Sequence, residues 1–261
     1  MTCTLIIATY NWHQALELVL LSVKKQTVMP DEIIIADDGS TKETLDVINN
    51  SQKRISVPIK HVWHEDEGFR KSKILNKSFA IAKGEYIVQI DGDIILHKKF
   101  IEDHLRHAKP NVFLHGSRSF LNSQLSKKSL KEKTTLFYFY EKGLSNRWNA
   151  IYFKLLTMFT KPNKSLKKTR GCNFSCFKKD FLMTNGYNED MLGWGKEDTE
   201  LSARLINNNV LKKQLKNCAL CYHLEHKIAA REGLNQNLLI LENTIQKKQT
   251  YCQNGVAKYL K

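Results

Sequence analysis

Two aspartates one residue apart are the residues of this sequence whose types and spacing most directly indicate chemistry. Asp91 and Asp93 flank Gly92 and follow residues 86–90, a β-branched run typical of a buried strand. Carboxylate oxygens suit Mg²⁺ or Mn²⁺, which often bind together with the phosphates of a substrate. Asp91-Gly92-Asp93 therefore predicts a divalent cation site, although a solvated turn would have the same sequence.

The elements that must position this motif alternate between strand and helix. This alternation predicts a parallel sheet with right-handed crossovers, in which ligands bind beyond the carboxyl ends of the strands. Polar clusters at 9–11, 37–40 and 91–93 follow three of the strands, so we expect them to meet at one site. The pattern predicts strands at 5–8, 32–36, 59–63, 86–90 and 112–116 and helices at 15–23, 44–48, 72–82 and 100–107.

The usual phosphate-binding loops are missing from the first βα turn. No Gly-x-Gly-x-x-Gly follows the first strand, and the chain has no phosphate loop with Gly-Lys-Ser/Thr. The sequence therefore predicts that a bound nucleotide is held by acids and a cation instead of by a glycine loop.

A second cluster of chemical interest lies in Gly193-Trp194-Gly195-Lys196-Glu197-Asp198. The two glycines allow the backbone to approach a ligand closely. The two acids begin a predicted helix, where the helix dipole favours anions. They are interpreted either as helix caps or as a general base beside an indole that stacks on a sugar. Further along, a predicted strand over 218–226 ends in two histidines, His223 and His226.

Residues 117–168 have a less definite pattern. They contain a basic helical stretch at 127–133 and aromatic-rich stretches at 137–140 and 148–159. We interpret them either as helices that pack over the edge of the sheet or as a mobile lid or acceptor surface.

Composition bounds the class of protein. The chain has 261 residues, 42% of them hydrophobic, which is typical of a globular protein with a sizeable core. Its 41 basic and 26 acidic residues give a net charge of +15, which favours a polyanionic partner unless the lysines are simply solvated. Nucleic acid is not expected, because no helix combines a dense basic face with aromatic platforms. No signal peptide or membrane-spanning helix is expected, so we predict a cytoplasmic protein with reduced cysteines.

The C-terminal stretch 232–258 has leucines at helical spacing followed by lysines. Three interpretations stay open for this predicted helix. It could pack on the domain, pair with a second copy in a homo-oligomer, or lie on the anionic inner face of the cell membrane.

Taken together, these motifs resemble family 2 glycosyltransferases with the GT-A fold, a Rossmann-like, mostly parallel sheet flanked by helices. The ordered set is Ala8-Thr9-Tyr10-Asn11, Asp37-Asp38-Gly39-Ser40, Asp91-Gly92-Asp93 and 193–198. Residues 170–226 are similar to the C-terminal region of β-1,4-galactosyltransferases and bacterial chondroitin-polymerase-type domains. The resemblance implies a donor-binding half at 1–116, an acceptor-binding and catalytic half of the same domain at 117–227, and a basic helical tail at 228–261.

The resemblance implies a role for each matching residue. Those expected to bind the nucleotide-sugar donor are Ala8, Thr9, Tyr10, Asp38, Arg70, Asp91 and Gly92, with Asp38 on the uracil ring. Trp194 and Gly195 would bind the acceptor. Asp93, His226 and His223 would hold Mn²⁺ or Mg²⁺. Lys196 departs from the small residue that relatives often have, which bears on acceptor preference.

The resemblance and the residue chemistry imply one reaction. Asp198, beside Glu197, would act as the general base that takes the proton of an acceptor hydroxyl. One base without a covalent partner implies single displacement with inversion. A UDP-sugar of the galactose, glucose or N-acetylhexosamine type would donate to a cell-surface or lipid-linked glycan.

A rival interpretation uses the cysteines. Cys172, Cys176, Cys218 and Cys221, with the two histidines, are ligand types for tetrahedral zinc. They would make the chain a zinc-stabilised sugar- or nucleotide-binding module without transferase activity. Strand alternation, however, would place Cys218 and Cys221 on opposite faces.

Overall fold

A seven-stranded sheet forms the centre of the protein. The computed structural model describes residues 1–226 and 233–260. The strands lie in the spatial order β10-β6-β9-β4-β1-β2-β3, and only β9 runs antiparallel to its neighbours. The α/β prediction with a mostly parallel sheet is therefore confirmed. The strands are β1 (Cys3–Thr9), β2 (Glu32–Asp37), β3 (Ile59–Trp63), β4 (Tyr86–Asp91), β6 (Val112–Gly116), β9 (Asn173–Phe177) and β10 (Leu211–Leu215).

Helices cover both faces of this sheet. Because the central strands are buried on both sides, successive residues of β1 enter different cores. Leu5 and Ile7 pack with α1 and α4, whereas Ile6 packs with α3 and α7. The helices are α1 (His13–Val23), α2 (Lys42–Gln52), α3 (Lys71–Ile81), α4 (Phe100–His107), α5 (Ser123–Glu132), α6 (Lys178–Met183), α7 (Glu197–Asn207) and α8 (Leu234–Gln246).

A small second sheet stands beyond the end of β4. Its order is β5-β11-β7-β8, where β5 is Ile94–Leu96, β7 is Ser119–Leu121, β8 is Leu144–Ser145 and β11 is Cys221–His223. His223 pairs with Ile94, and the Leu224 N–H donates to the Asp93 carbonyl at 3.1 Å. This sheet therefore holds the two histidines next to the acidic motif.

Three sequence predictions need correction. The strand expected over 218–226 begins only at Cys221, because Ala219 adopts a positive φ of 46°. The C-terminal helix ends at Gln246 instead of Lys258, and Lys248 beyond it has a positive φ. Strand β10 was not predicted, because its sequence Leu-Lys-Lys-Gln-Leu looks solvated. Lys212 is nevertheless buried, and its ammonium donates to the Lys167 carbonyl at 2.6 Å.

The C-terminal helix packs on the domain. Asn237, Leu241 and Thr244 of α8 are buried, and the Thr244 hydroxyl donates to Glu200 of α7 at 3.1 Å. None of the described helices is long and apolar enough to cross a membrane.

Candidate active site

A cavity of about 1080 Å³ opens at the carboxyl ends of β1 and β4, and residues of both sheets line it. The predicted site residues in its lining are Ala8, Thr9, Tyr10, Asp38, Asp91, Gly92, Asp93, Trp194, His223 and His226. Arg70, Gly195, Glu197 and Asp198 lie outside the lining. The fold thus brings most of the expected side chains to one cavity, whereas the predicted base Asp198 is half-buried and outside its lining.

Asp93, His223 and His226 form a compact group. Their potential ligand atoms all lie within 4.8 Å of one another, and Asp93 Oδ2 lies 3.0 Å from His226 Nε2 and 3.4 Å from His223 Nε2. Burial opposes ionisation of Asp93, but the hydrogen bond to His226 and the nearby His223 hold the Asp93 pKa below its usual range.

The other oxygen of the same carboxylate points to a missing ligand. Asp93 Oδ1 is buried with no hydrogen-bond partner among the described residues. An orphaned anionic oxygen in a cavity is costly unless it meets a cation. A carboxylate suits Mg²⁺ or Mn²⁺, and imidazoles are ligands for divalent first-row metals. The residues at this position therefore fit a divalent cation.

Asp91 has a different partner from Asp93. Its Oδ1 lies 2.6 Å from the Lys71 ammonium, at the start of α3. Burial opposes the charge of Lys71, but the carboxylates of Asp91, Asp198 and Glu197 outweigh burial and raise its pKa. Lys71 lines the cavity and thus joins the two acidic motifs electrostatically. Lys71 was not predicted as a site residue, because nothing in the sequence distinguishes it from the other basic residues, 41 in all.

Gly92 allows the acidic motif to lie against β1. Its N–H donates to the Ala8 carbonyl at 2.6 Å, and a Cβ here would lie 2.9 Å from Thr9 Oγ1. Any side chain would force Asp91 and Asp93 away from the strand end.

Asp38 is held by two donors at the same edge. Its Oδ1 lies 2.7 Å from His64 Nε2, and its Oδ2 accepts the Arg70 backbone N–H at 2.9 Å. Burial raises the pKa of Asp38. The Arg70 side chain itself lies 4.0 Å from Glu67. His64 was missed, although its position directly after β3 marked it as a residue of this edge.

Tyr10 lies at the entrance of the cavity. Its side chain is exposed, and its hydroxyl donates to Asp66 at 2.9 Å. The exposed ring remains available to a ligand face.

A buried network stands behind Asp198. Its Oδ1 accepts a hydrogen bond from the Tyr187 hydroxyl at 3.2 Å, and Tyr187 in turn accepts one from Gln89 Nε2 at 2.9 Å. A Cβ on Gly171 would lie 2.3 Å from Asp198 Oδ1. The carboxylate is therefore positioned by β4, by residues 171 and 187, and by its own helix.

Glu197 has a local structural role as well. Its carboxylate accepts the Gly195 N–H at 3.0 Å, in the loop directly before α7. Burial and the nearby Asp198 raise the pKa of Glu197 to about 7. Gly193, Gly195 and Lys196 all have positive φ, which folds the loop tightly before the helix.

The start of α8 supports this loop. Asn237 Nδ2 donates to the carbonyls of Leu192 and Gly195 at 3.1 and 2.9 Å. A Cβ on Gly233 would lie 2.1 Å from the Leu192 carbonyl oxygen, so only glycine fits there. The loop that carries Trp194 is thus clamped by the C-terminal helix.

Two further positively charged side chains in the lining come from residues 117–168, whose sequence pattern is less definite. Arg118 donates to Cys172 Sγ at 2.9 Å and lies 4.8 Å from the centre of the Phe120 ring. Its Nε is buried with no partner among the described residues. Arg147 lines the cavity beside β8. With Lys71, these side chains put three cations in the lining, and Lys71 and Arg118 lie near its acids.

The cysteines do not form the zinc site of the rival interpretation. All six are buried free thiols, which confirms the expectation of reduced cysteines. Burial raises the pKa of Cys172 to about 12 and that of Cys218 to about 11. Cys218 contacts Thr157 and Cys221 contacts Asn173 instead. Within residues 1–226 and 233–260, Asp93, His223 and His226 are the one group with metal-ligand spacing.

Comparison with known proteins identifies the class. A family model described as glycosyl transferase family 2 matches residues 4–178, and one described as the N-terminal domain of galactosyltransferase matches residues 154–227. The chain therefore belongs to glycosyl transferase family 2, with a galactosyltransferase-like second half.

Individual relatives share part of their length with this chain. Validoxylamine A glucosyltransferase of Streptomyces hygroscopicus subsp. limoneus is 28% identical over 219 residues, which are 77% of this chain and 47% of that protein. Chondroitin synthase of Pasteurella multocida is 26% identical over 244 residues, 85% of this chain and 24% of that protein. The chain thus spans at most about half the length of these relatives.

Solved structures share the fold. TarS of S. aureus, residues 1–349 in complex with UDP, superposes with a TM-score of 0.65 at 16% identity, over 99% of this chain and 68% of that one. The mannosyltransferase PcManGT of Pyrobaculum calidifontis, in complex with GDP-Man and Mn²⁺, has a TM-score of 0.59 at 15% identity, over 94% of this chain and 64% of that one. The predicted GT-A fold is confirmed.

Proposed function

We propose that this protein is an inverting glycosyltransferase. It would move a galactose, glucose or N-acetylhexosamine unit from a UDP-sugar to a hydroxyl of a bacterial cell-surface glycan. The observation that carries the proposal is the convergence of Asp93, His223 and His226 on one cavity beside Asp91. The relatives named as glucosyltransferase and chondroitin synthase support sugar transfer, and the UDP bound to TarS supports a uridine nucleotide.

The proposed cation site consists of Asp93, His223 and His226, with Mn²⁺ or Mg²⁺ as the ion. A divalent ion there would supply Lewis-acid stabilisation of the departing diphosphate. The protein adds positive charge of its own, because Lys71, Arg118 and Arg147 line the same cavity. These positive side chains would attract a negatively charged diphosphate, because charges in a cavity are screened less than charges in bulk water.

Different residues of the cavity would bind the uracil base of the donor and the sugar ring. Asp38 would accept a hydrogen bond from the uracil ring, and Ala8, Thr9 and Tyr10 would flank the nucleoside. Trp194, which is exposed in the lining, would stack on a sugar ring.

Asp198 is the proposed base. An acceptor hydroxyl is a poor nucleophile at pH 7, and a carboxylate within reach takes its proton as the new bond forms. Both Asp91 and Asp198 raise the pKa of Lys71, a lining residue, which supports a base near the donor end of the cavity. The attack is a single displacement, so an α-linked donor gives a β-linked product.

The reduced cysteines support a cytoplasmic compartment. A lipid-linked acceptor would bring the protein to the inner face of the cell membrane. Sedimentation would measure the oligomeric state.

Replacing the base tests the proposal. Asp198→Asn should bind UDP with Mn²⁺ as the wild type does and lose at least about 10²-fold in the rate of transfer. Isothermal titration and product formation from a panel of nucleotide sugars measure the two properties. The matched control is Asp46→Asn, which removes an exposed acid on α2. Transfer by Asp198→Asn at the wild-type rate would show that another group is the base.

A further inference from the structure

The outer edge of the central sheet is covered by a segment of irregular chain. Residues 148–168, here called the edge segment, run beside β10. Thr157 is fully buried, and its hydroxyl donates to the Lys216 carbonyl at 2.7 Å and accepts the Lys216 N–H at 2.8 Å. Thr160 donates to the Gln214 carbonyl at 2.9 Å. The backbone of the segment is therefore held by specific contacts.

Its apolar side chains nevertheless face outward. Phe159 is 82% exposed, Trp148 78% and Met158 69%, and Phe153 and Leu155 are about half exposed. Single exposed apolar residues are normal on a protein surface, but a concentration of five within residues 148–159 marks an interaction site. Covering β10 accounts for the backbone of the segment and leaves these side chains unexplained.

The charged side chains of the segment itself have one sign. Residues 142–179 contain no aspartate or glutamate. The exposed basic side chains of the edge segment are Lys154, Lys161, Lys164, Lys167 and Lys168, and Lys216 next to Thr157 is also exposed. The complementary partner is therefore anionic.

We propose that the edge segment docks on an anionic lipid bilayer. Aromatic and aliphatic side chains that enter the headgroup region, with lysines on anionic headgroups, are the chemistry of interfacial binding. A nucleic acid or an acidic glycan would satisfy the lysines but would leave Met158, Leu155 and Phe159 in water. A second copy would place like charges against each other, because a two-fold contact pairs the same patch with itself.

The location of the edge segment gives membrane docking a function. Arg147, directly before Trp148, lines the cavity. The bilayer would then lie beside the cavity mouth, where a lipid-linked acceptor could enter. This consequence rests on the proposed function, whereas the docking itself does not. The edge segment would then be the membrane-binding element, instead of the C-terminal helix, which packs on α7.

Vesicle flotation tests the proposal with the full chain and without any nucleotide sugar. Wild-type protein should float with vesicles that contain phosphatidylglycerol and stay behind with pure phosphatidylcholine. The double variant Trp148→Ser/Phe159→Ser should bind about tenfold more weakly or worse, as should Lys161→Glu/Lys164→Glu. Leu239→Ser, which removes a 60% exposed leucine on α8, and Lys247→Glu/Lys248→Glu are the matched controls and should float normally.

A second readout is independent of folding defects. Brominated acyl chains should quench the fluorescence of the wild type, and Trp148→Phe should remove most of that quenching while it still floats. Asp198→Asn should float like the wild type, so failure of the transferase proposal leaves this one standing. Equal loss of binding in the α8 controls, absence of flotation, or concentration-dependent dimerisation removed by Trp148→Ser/Phe159→Ser would overturn the proposal.

Discussion

A buried tyrosine controls the surroundings of the proposed base. The Tyr187 hydroxyl is the described donor to Asp198 Oδ1, and Gln89 holds that hydroxyl from the other side. Tyr187 is thus a positioning residue, since it acts on substrate only through the carboxylate.

Tyr187→Phe should lower the transfer rate about tenfold with little change in the KM for donor. A hydrogen bond to a charged group contributes about 1.5–3 kcal/mol, and without it the carboxylate is oriented less firmly. Steady-state kinetics should therefore show the loss in kcat and not in KM. Tyr259→Phe, which removes a hydroxyl bonded to Glu189 at 3.0 Å away from the cavity, is the control. An unchanged kcat in Tyr187→Phe would limit this tyrosine to packing.

The second acid of the pair should affect stability through pH. Burial and Asp198 raise the pKa of Glu197 to about 7, above the value near 4.3 expected in the unfolded chain. Between these values the folded state binds more protons than the unfolded state. The free energy of unfolding therefore falls as pH rises through this window.

Glu197→Gln should remove that fall. The variant keeps an oxygen for the Gly195 N–H, so we expect it to be more stable than the wild type at pH 8, by up to about 3 kcal/mol. The difference should vanish below about pH 4, where Glu197 is protonated in both the folded and the unfolded state. Urea unfolding at the two pH values measures it, with Asp46→Asn as the control. A difference that is the same at both pH values would contradict the assignment.

At the scale of elements, α7 and α8 are joined through a buried ion pair. Arg204 donates to both oxygens of Glu200, at 2.8 and 2.5 Å, and to the Thr184 carbonyl at 2.5 Å. Thr244 of α8 donates to the same carboxylate. The pair therefore connects the helix of the proposed base to the helix that clamps its loop.

Breaking one side of this pair should cost more than removing it whole. Arg204→Met leaves the Glu200 charge buried and should destabilise the fold by about 3–5 kcal/mol. The double variant Arg204→Met/Glu200→Leu should lose less than the sum of the two single variants. Denaturant unfolding measures all three, and Arg106→Met, from a more exposed pair on α4, should change stability by about 1 kcal/mol or less. Strict additivity would contradict a coupled pair.

The elements also show how far sequence reasoning reaches. Strands β1, β2, β3, β4 and β6 and helices α1 to α4 were predicted, because an apolar run or a hydrophobic period over four or more residues is a clear signal. The second sheet was missed, because strands of two or three residues carry no period. β10 was missed because Lys212 and Lys213 are buried through contacts made by residues distant in sequence. Lys71, His64 and Tyr187 were not predicted as site residues for the same reason, because their partners come near them only in the folded chain.

At the scale of the whole molecule, the proposed cation would join the two sheets. Asp93 follows β4 of the central sheet, whereas His223 lies on β11 of the second sheet. An ion held by both should stabilise the folded state over the unfolded state, by about 2.7 kcal/mol at a hundred times its Kd.

Thermal unfolding with added Mn²⁺ tests this link without any substrate. The melting temperature of the wild type should rise with Mn²⁺ concentration, and His226→Ala should abolish most of the rise. His13→Ala, which changes a histidine at the start of α1, is the matched control. A rise of the same size in His226→Ala would place the ion elsewhere.

The clamp of α8 on the Trp194 loop has a consequence for anyone who shortens or extends this protein. Asn237 donates to two carbonyls of that loop and Gly233 packs against it, so we expect α8 to contribute to the proposed reaction centre. Proteolytic clipping ahead of α8 would then abolish turnover at temperatures where the central sheet persists. Affinity tags and fusion partners at this end should leave α8 docked, or a catalytic defect will be mistaken for a poor choice of substrate.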